Sequence, residues 1–316
     1  MAKPAAASRG ISARNIKLEN DMEITAQIVR NLIDAQFPQW SGLEIRPVQP
    51  GGHDNRTFRL GEAMTVRLPC GPAYAAQVEK EAKWLPVLAK GLSLPIPSPI
   101  AMGAPTGEYP FPWSVNRYIE GETVRDVKNP DADGLARDLS AFLKELQGIG
   151  TAGAPAAGPH NFFRGASPAV YSGEVEAALQ RHRDSLPAER LRDVWERAAA
   201  ASWNRPPVWV HGDVAPGNLL IRDGSLCGVI DFGIMGIGDP ACDYAMAWSF
   251  FDRGGRSLFL QGLDGGTVCR ARGWALWKAL ITLDLPGMAS CAEQTLQAIL
   301  DECGSAGAPA AAGQGR

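Results

Sequence analysis

Apolar residues recur at helical spacing early in the chain, at Ile24, Ile28, Leu32 and Ile33, and predict a first helix over residues 21–37 that Pro38 ends. The period then changes. Thr57–Leu60 and Met64–Leu68 flank Gly61-Glu62-Ala63 and predict a hairpin. In its second strand Met64, Val66 and Leu68 share one face, Thr65 and Arg67 the other. Helical spacing returns over residues 74–88, where Val78, Ala82, Trp84, Leu85 and Leu88 form an apolar sector. Pro86 lies inside that pattern and is expected to kink or end the helix. Leu94 to Pro99 reads as extended, and Trp113–Ile119 as a further strand.

Residues 135–147 read as helical, and the low-complexity run GIGTAGAPAAGPH (148–160) as a flexible loop. One or two helices, interrupted near Pro187, are expected over 171–201. Val208 to Asp231 alternates strand and turn, and the pattern from Pro240 onward is helical. Strands thus dominate the first third and helices the rest. That segregation predicts an α+β chain of two lobes: an antiparallel-sheet lobe over 21–118 and a mainly helical lobe over 119–303, with disordered tails at 1–20 and 304–316.

Composition narrows the function classes. The chain has 316 residues, 45% hydrophobic, and a formal net charge of −3, so no basic field exists to hold nucleic acid. Six cysteines are dispersed without a C-x-x-C pair, which suits a reducing compartment better than a disulfide framework. MAKPAAASRGISARN carries no apolar run of signal-peptide length, and no stretch approaches the ~20 apolar residues of a membrane span. A cytoplasmic protein with no membrane partner is expected.

The chemistry concentrates in VWVHGDVAPGNLLIRDGSLCGVIDFG, residues 208–233. Val208-Trp209-Val210 delivers His211-Gly212-Asp213 to a loop, and Asn218 follows five residues after Asp213. Leu219–Ile221 leads to a turn at Asp223-Gly224, and Leu226–Ile230 returns, bringing Asp231 to the end of the hairpin that Asn218 left. Asp213, Asn218 and Asp231 are therefore expected to converge. Two carboxylates and an amide oxygen are hard ligands of the kind Mg²⁺ takes beside waters and phosphates. Phosphoryl transfer needs such a metal, and a group that orients the attacking hydroxyl.

H-G-D-x-x-x-x-N followed by I-D-F-G resembles the paired motifs of the aminoglycoside phosphotransferase family, relatives of the protein kinases. The resemblance implies a bilobal protein-kinase-like fold. It implies Asp213 as catalytic base, Asn218 and Asp231 as Mg²⁺ ligands and His211 as a brace for the loop. ATP, with GTP as an alternative, would be the phosphoryl donor and a small-molecule hydroxyl the acceptor. In the first lobe, Pro50-Gly51-Gly52-His53-Asp54-Asn55-Arg56 resembles the phosphate-covering loop, which assigns Gly51, Gly52 and Asn55 to the nucleotide. Arg67, in TVRLP, stands where the family usually has a lysine. Its expected partner is Glu81, which lies in the apolar sector of its helix, whereas Glu79 lies outside it. Asn116 and Tyr118 fall in the expected connection between lobes, where backbone groups would meet adenine.

Only seven residues separate Asp231 from Asp239, too few for the activation segment and A-P-E motif of a protein kinase, so no protein substrate is expected. Asp239-Pro240 reads as an N-cap with proline at the first helical position, and Asp243 as a structural first-turn carboxylate. Between Ala279 and Gly315 stand four acids, Asp284, Glu293, Asp301 and Glu302, and no lysine or arginine, a balance that would suit a polycationic aminoglycoside. Trp248, Phe250, Phe251, Trp274 and Trp277 are candidates for a pocket wall or for core. Macrolide enzymes resemble the chain at Arg67 but differ at Asn218 and Phe232. The alternative to an active kinase is a nucleotide-binding pseudokinase or sensor, suggested by Arg67.

Overall fold

The computed structural model describes residues 23–49 and 54–305. The expected tail at 1–20, and Gly51 and Gly52, lie outside the described residues.

The first lobe is built on one antiparallel sheet. Its strands are β1 (Ile45–Pro47), β2 (Asn55–Leu60), β3 (Met64–Pro69), β4 (Ser98–Gly103) and β5 (Trp113–Arg117), in the spatial order β1-β2-β3-β5-β4. The β2–β3 hairpin pairs from Asn55 with Pro69 to Leu60 with Met64. Alternation along it separates two environments. Phe58, Leu60, Val66 and Leu68 pack with Trp113 and Val115 against Val29, Leu32 and Ile33 of α1 (Ala26–Gln36), a helix whose first turn is capped by the Thr25 hydroxyl accepting from the Ile28 N–H. Arg67 points to the other side, toward Glu81 of α2 (Pro72–Leu88).

Helix α2 begins with Pro72 at its first turn and runs two residues past Pro86. Pro86 was expected to kink or end the helix; it instead occupies the last turn, where the Ala89 N–H still reaches the carbonyl of Leu85. The apolar side of α2 belongs to the larger core. Trp84, Leu85 and Leu88 pack among residues of the second lobe, and the Trp84 ring meets Trp209 edge-on at 5.1 Å. One helix therefore carries Glu81 on the sheet side while anchoring the lobes together.

The second lobe is mainly helical. After β6 (Glu122–Thr123) come α3 (Ala132–Gly148), α4 (Ser172–Arg181), α5 (Ala188–Ala200), α6 (Met246–Ser249), α7 (Arg253–Phe259), α8 (Gly265–Thr282) and α9 (Ala289–Ser305). The helical pattern over 171–201 thus resolves into α4 and α5, parted before Pro187. Helix α9 runs two residues into the stretch expected to be a loose tail; the rest of that tail lies outside the described residues.

Two small sheets carry the motif segment. β7 (Val208–Val210) pairs with β10 (Gly236–Gly238), and β8 (Leu219–Arg222) with both β6 and β9 (Ser225–Val229). The β8–β9 turn has left-handed backbone at Asp223 (φ 54°) and Gly224 (φ 81°), as a two-residue hairpin of native twist requires. The run 148–160, expected to be a flexible loop, is tied down instead. Ala156 bridges to Ile237, the Ile237 N–H donates to the Pro155 carbonyl, and the Ala157 N–H to the Ile237 carbonyl. Below it, Arg270 of α8 and Asp239, both nearly fully buried, form a two-bond ion pair at 2.6 and 3.1 Å.

Candidate active site

Strand β7 ends at Val210 and the chain turns sharply through His211, Gly212 and Asp213. The turn is held from beneath by Asp243. Its Oδ2 accepts the His211 N–H at 2.8 Å and its Oδ1 the Gly212 N–H at 2.7 Å. Burial pushes the Asp243 carboxyl up, against the pull of His211 and the two N–H groups. Gly212 sits at φ 89°, and a Cβ there would lie 2.8 Å from the Ile234 carbonyl oxygen, so only glycine fits.

His211 is fully buried and ties the two halves of the motif together. Its Nδ1 accepts the Asp213 N–H at 3.1 Å, which makes Nε2 the donor to the Ile230 carbonyl at 3.0 Å. The Phe232 ring closes on it edge-to-face at 4.5 Å. Asn218, at the end of a single helical turn (Pro216–Asn218), donates Nδ2 to the Asp213 carbonyl (2.8 Å) and to Asp213 Oδ2 (3.1 Å). The Ile230 N–H donates to the Asn218 carbonyl at 2.9 Å. Asp213, Asn218 and Asp231 are thereby brought together. Asp231 itself adopts left-handed backbone (φ 67°), a conformation that non-glycine residues keep where the surroundings enforce it.

Across from this loop, Arg67 of β3 forks between two carboxylates. Nη1 donates to Glu81 Oε1 at 2.8 Å and Nη2 to Asp231 Oδ1 at 2.7 Å. Burial works against the charge on Arg67, but Glu81 and Asp231 outweigh it and raise its pKa. Burial also pushes the Glu81 carboxyl up, against the attraction of Arg67. Glu81 is buried and Glu79 exposed.

Three other predicted positions lie apart from this cluster. Asn55 opens β2 beside the stretch outside the described residues. Asn116 is an interior position of the sheet, opposite Thr65 on one side and Pro99 on the other. The Tyr118 N–H donates to the Ala63 carbonyl at 2.8 Å, and its ring lies under Arg59 at 3.4 Å. Backbone from Asn116 to Tyr118 is therefore engaged with the sheet and its hairpin turn, and pairing in the sheet ends at Arg117.

Two cations that sequence reasoning missed flank Asp213. Lys278 of α8 places Nζ 3.1 Å from Asp213 Oδ1. Burial opposes ionisation of Asp213, but Lys278, with His211 and Arg164 nearby, overrides it and holds the carboxyl down at about 2. Arg164 donates Nε to the Gly212 carbonyl at 3.0 Å and lays its guanidinium against Trp277 (4.7 Å) and Trp274 (5.0 Å). Trp277 stacks in turn on Tyr171 at 4.2 Å. Of the aromatic candidates, Trp274 and Trp277 thus approach the loop, while Trp248 is turned to Glu302 and Phe251 packs on Phe259. A signal for Lys278 was present: it is the lone charge in the apolar run GWALWKALITL.

The donor set suits a magnesium ion. Asn218 turns its nitrogen to Asp213, leaving Oδ1 as the atom available to a cation, and among the described residues Asp231 engages only Oδ1. The described residues hold no cluster of three or more His, Cys, Asp or Glu that could cage a metal. Mg²⁺ needs no such cage, since phosphates and water complete its shell.

Residues 44–280 match the phosphotransferase enzyme family. The chain belongs to that family. Among curated relatives, an aminoglycoside 3'-phosphotransferase of Escherichia coli is 29% identical over 143 residues, covering 43% of this chain and 52% of the relative. A viomycin phosphotransferase of Streptomyces vinaceus is 30% identical over 190 residues, covering 55% and 63%. The matches thus span about half to under two thirds of these relatives' length. The fold is the family's protein-kinase-like one. An aminoglycoside 2'-phosphotransferase-IIIa solved with GDP superposes with a TM-score of 0.65 at 19% identity, covering 88% of this chain and 100% of that one. A macrolide 2'-phosphotransferase of Brachybacterium faecium gives 0.57 at 20% identity, covering 87% and 97%.

Proposed function

We propose that the chain is an ATP- and Mg²⁺-dependent phosphotransferase that moves the γ-phosphoryl group to a hydroxyl of a small molecule. The observation that carries this reading is the convergence of Asp213, Asn218 and Asp231 opposite the Arg67–Glu81 pair, in a chain of the phosphotransferase family. The names of the relatives, which act on aminoglycosides and viomycin, support a small-molecule acceptor.

Each residue has a task in that reading. Asp213 is ionised at every physiological pH, held in place by Asn218 and His211, and orients the acceptor hydroxyl and receives its proton. Arg67, held by Glu81 and Asp231, would set its charge beside the nucleotide phosphates, and the family resemblance assigns Gly51, Gly52 and Asn55 to the same phosphates. Asn218 and Asp231 would hold Mg²⁺, which neutralises charge on the phosphates when bound. Backbone groups near Asn116 and Tyr118 would meet the base of ATP, or of GTP as the alternative. The short, tied segment from Asp231 to Asp239 supports a small-molecule rather than a peptide acceptor.

The test is MgATP turnover against a panel of small alcohols, with nucleotide binding followed separately. Asp213→Ala is expected to abolish turnover while leaving MgATP binding intact. Undiminished turnover in that variant would remove Asp213 from its role, and nucleotide binding without turnover of any acceptor would favour a sensor.

A further inference from the structure

Lys278 has been given no contact with nucleotide, metal or acceptor, yet it touches the centre of the site. Its Nζ lies 3.1 Å from Asp213 Oδ1, and both side chains are roughly half-exposed, at 45% and 38%. Arg164 stands nearby on the loop, its guanidinium between the Gly212 carbonyl and the indoles of Trp274 and Trp277. Two cations therefore border the side of Asp213 that faces the helical lobe.

The acids expected to balance them are committed elsewhere. Asp284 accepts from Arg181 at 3.1 Å and faces His182 at 3.2 Å. Glu302 accepts from Arg272 at 3.0 Å and from Trp248 at 2.7 Å. Glu174, the acid nearest the indoles, accepts from Trp277 Nε1 at 3.0 Å. Two of the four acids that the sequence offered to a polycation, Asp284 and Glu302, are thus held in internal ion pairs.

We infer that the acceptor carries a negative group, carboxylate or phosphate, close to its reacting hydroxyl, and that Lys278 is the residue that reads it. The inference rests on the phosphotransferase reading of the site. Any acceptor hydroxyl must reach an Asp213 oxygen, and Oδ1 already accepts from Lys278 while Oδ2 accepts from Asn218, so Lys278 borders whatever binds there. A polycation would displace Lys278 and leave it, with Arg164, against like charge. An anionic group exchanges one partner of Lys278 for another. The ammonium swings from Asp213 Oδ1 to the acceptor's anion, and Oδ1 is freed for the hydroxyl. Half-exposure of the pair makes the exchange cheap, and a lysine, a point charge on a flexible stem, suits it better than an arginine fork. The reaction then proceeds as for any alcohol. The hydroxyl oxygen bonds to the γ-phosphorus, the bond to the β–γ bridging oxygen breaks, the hydroxyl proton passes to Asp213, and ADP and a phosphate monoester leave.

The experiment compares matched acceptors on the full chain with MgATP: glycerate against glycerol, gluconate against glucose, and kanamycin as the polycation, with ADP release as readout. The anionic member of a pair is expected to win in kcat/KM by about two- to fivefold, the scale of a half-exposed ion pair made or lost. The advantage disappears in Lys278→Ala and reverses, through KM, in Lys278→Glu. Preference for kanamycin or for the neutral alcohols, an advantage untouched by Lys278→Glu, or MgATP binding with no anionic alcohol turned over would each overturn the inference. Failure of the wild type to bind MgATP would instead strike the phosphotransferase reading.

Discussion

Arg67 donates to Asp231 at 2.7 Å across 164 residues of chain, and so joins the sheet lobe to the motif of the helical lobe. The same guanidinium holds Glu81, whose side chain is 7% exposed. Replacing Arg67 with alanine leaves that glutamate buried without its cation, a loss of about 3 kcal/mol in denaturant unfolding. Arg67→Lys keeps the charge but cannot span both carboxylates. It is expected to fall between wild type and alanine in stability and to raise KM for ATP. Equal stability of the lysine and alanine variants would show that the fork does not matter.

Asp243 supplies the acceptors for two backbone N–H groups that shape the turn before Asp213. In Asp243→Ala both become buried and unpaired, at roughly 1–3 kcal/mol each. Asp243→Asn, which keeps one oxygen, is expected to lose less. Unfolding curves rank the two variants, and turnover should fall in the same order as the loop loosens.

The Lys80 ammonium donates to the Met235 carbonyl at 3.1 Å and lies 3.2 Å from His160 Nδ1. Burial pulls its pKa down from 10.5 to about 8, with Glu81 opposing. The folded state therefore releases this proton before the unfolded chain does. Lys80 burdens the fold below pH 8, and the burden lifts as pH rises from 8 toward 10.5. The stability difference between wild type and Lys80→Met, measured across that window, should move in favour of wild type. A flat difference would remove the lowered pKa.

Gly212 and Gly224 share left-handed backbone but not surroundings. A Cβ at Gly212 meets the Ile234 carbonyl at 2.8 Å, whereas at Gly224 nothing lies within 4 Å. Gly224→Ala should lose only the conformational cost, about 1–2 kcal/mol. Gly212→Ala should lose more, and turnover with it. Thermal melts of the two variants check the order.

The reacting end of the site was legible because one short stretch builds it. A hairpin returns its last residue to where its first residue left, so Asp231 beside Asn218 follows from spacing alone. Helical period likewise separates Glu81 from Glu79. Lys278 and Arg164 were not legible in the same way. They reach Asp213 from 65 residues after it and 49 before it, with no local repeat to connect them. Strand β4 escaped because Pro99 sits in it, which an edge position of the sheet allows. Strand β10 escaped because two of its three residues are glycine. Side chains there would strike Asn161 at Gly236 and the Gly165 carbonyl at Gly238.

The segment between Asp231 and Asp239 is tied on both edges. Ile237 pairs with Trp209 on one side and with Ala156 on the other, and the Asp239 N–H donates to the Gly165 carbonyl at 2.7 Å. A strand bonded on both flanks must break both sets of bonds to move, which works against the order–disorder switching of such segments. The part of a kinase-like site that elsewhere serves as a latch is here a fixed beam. In the phosphotransferase proposed above, control would then have to act elsewhere than on this segment.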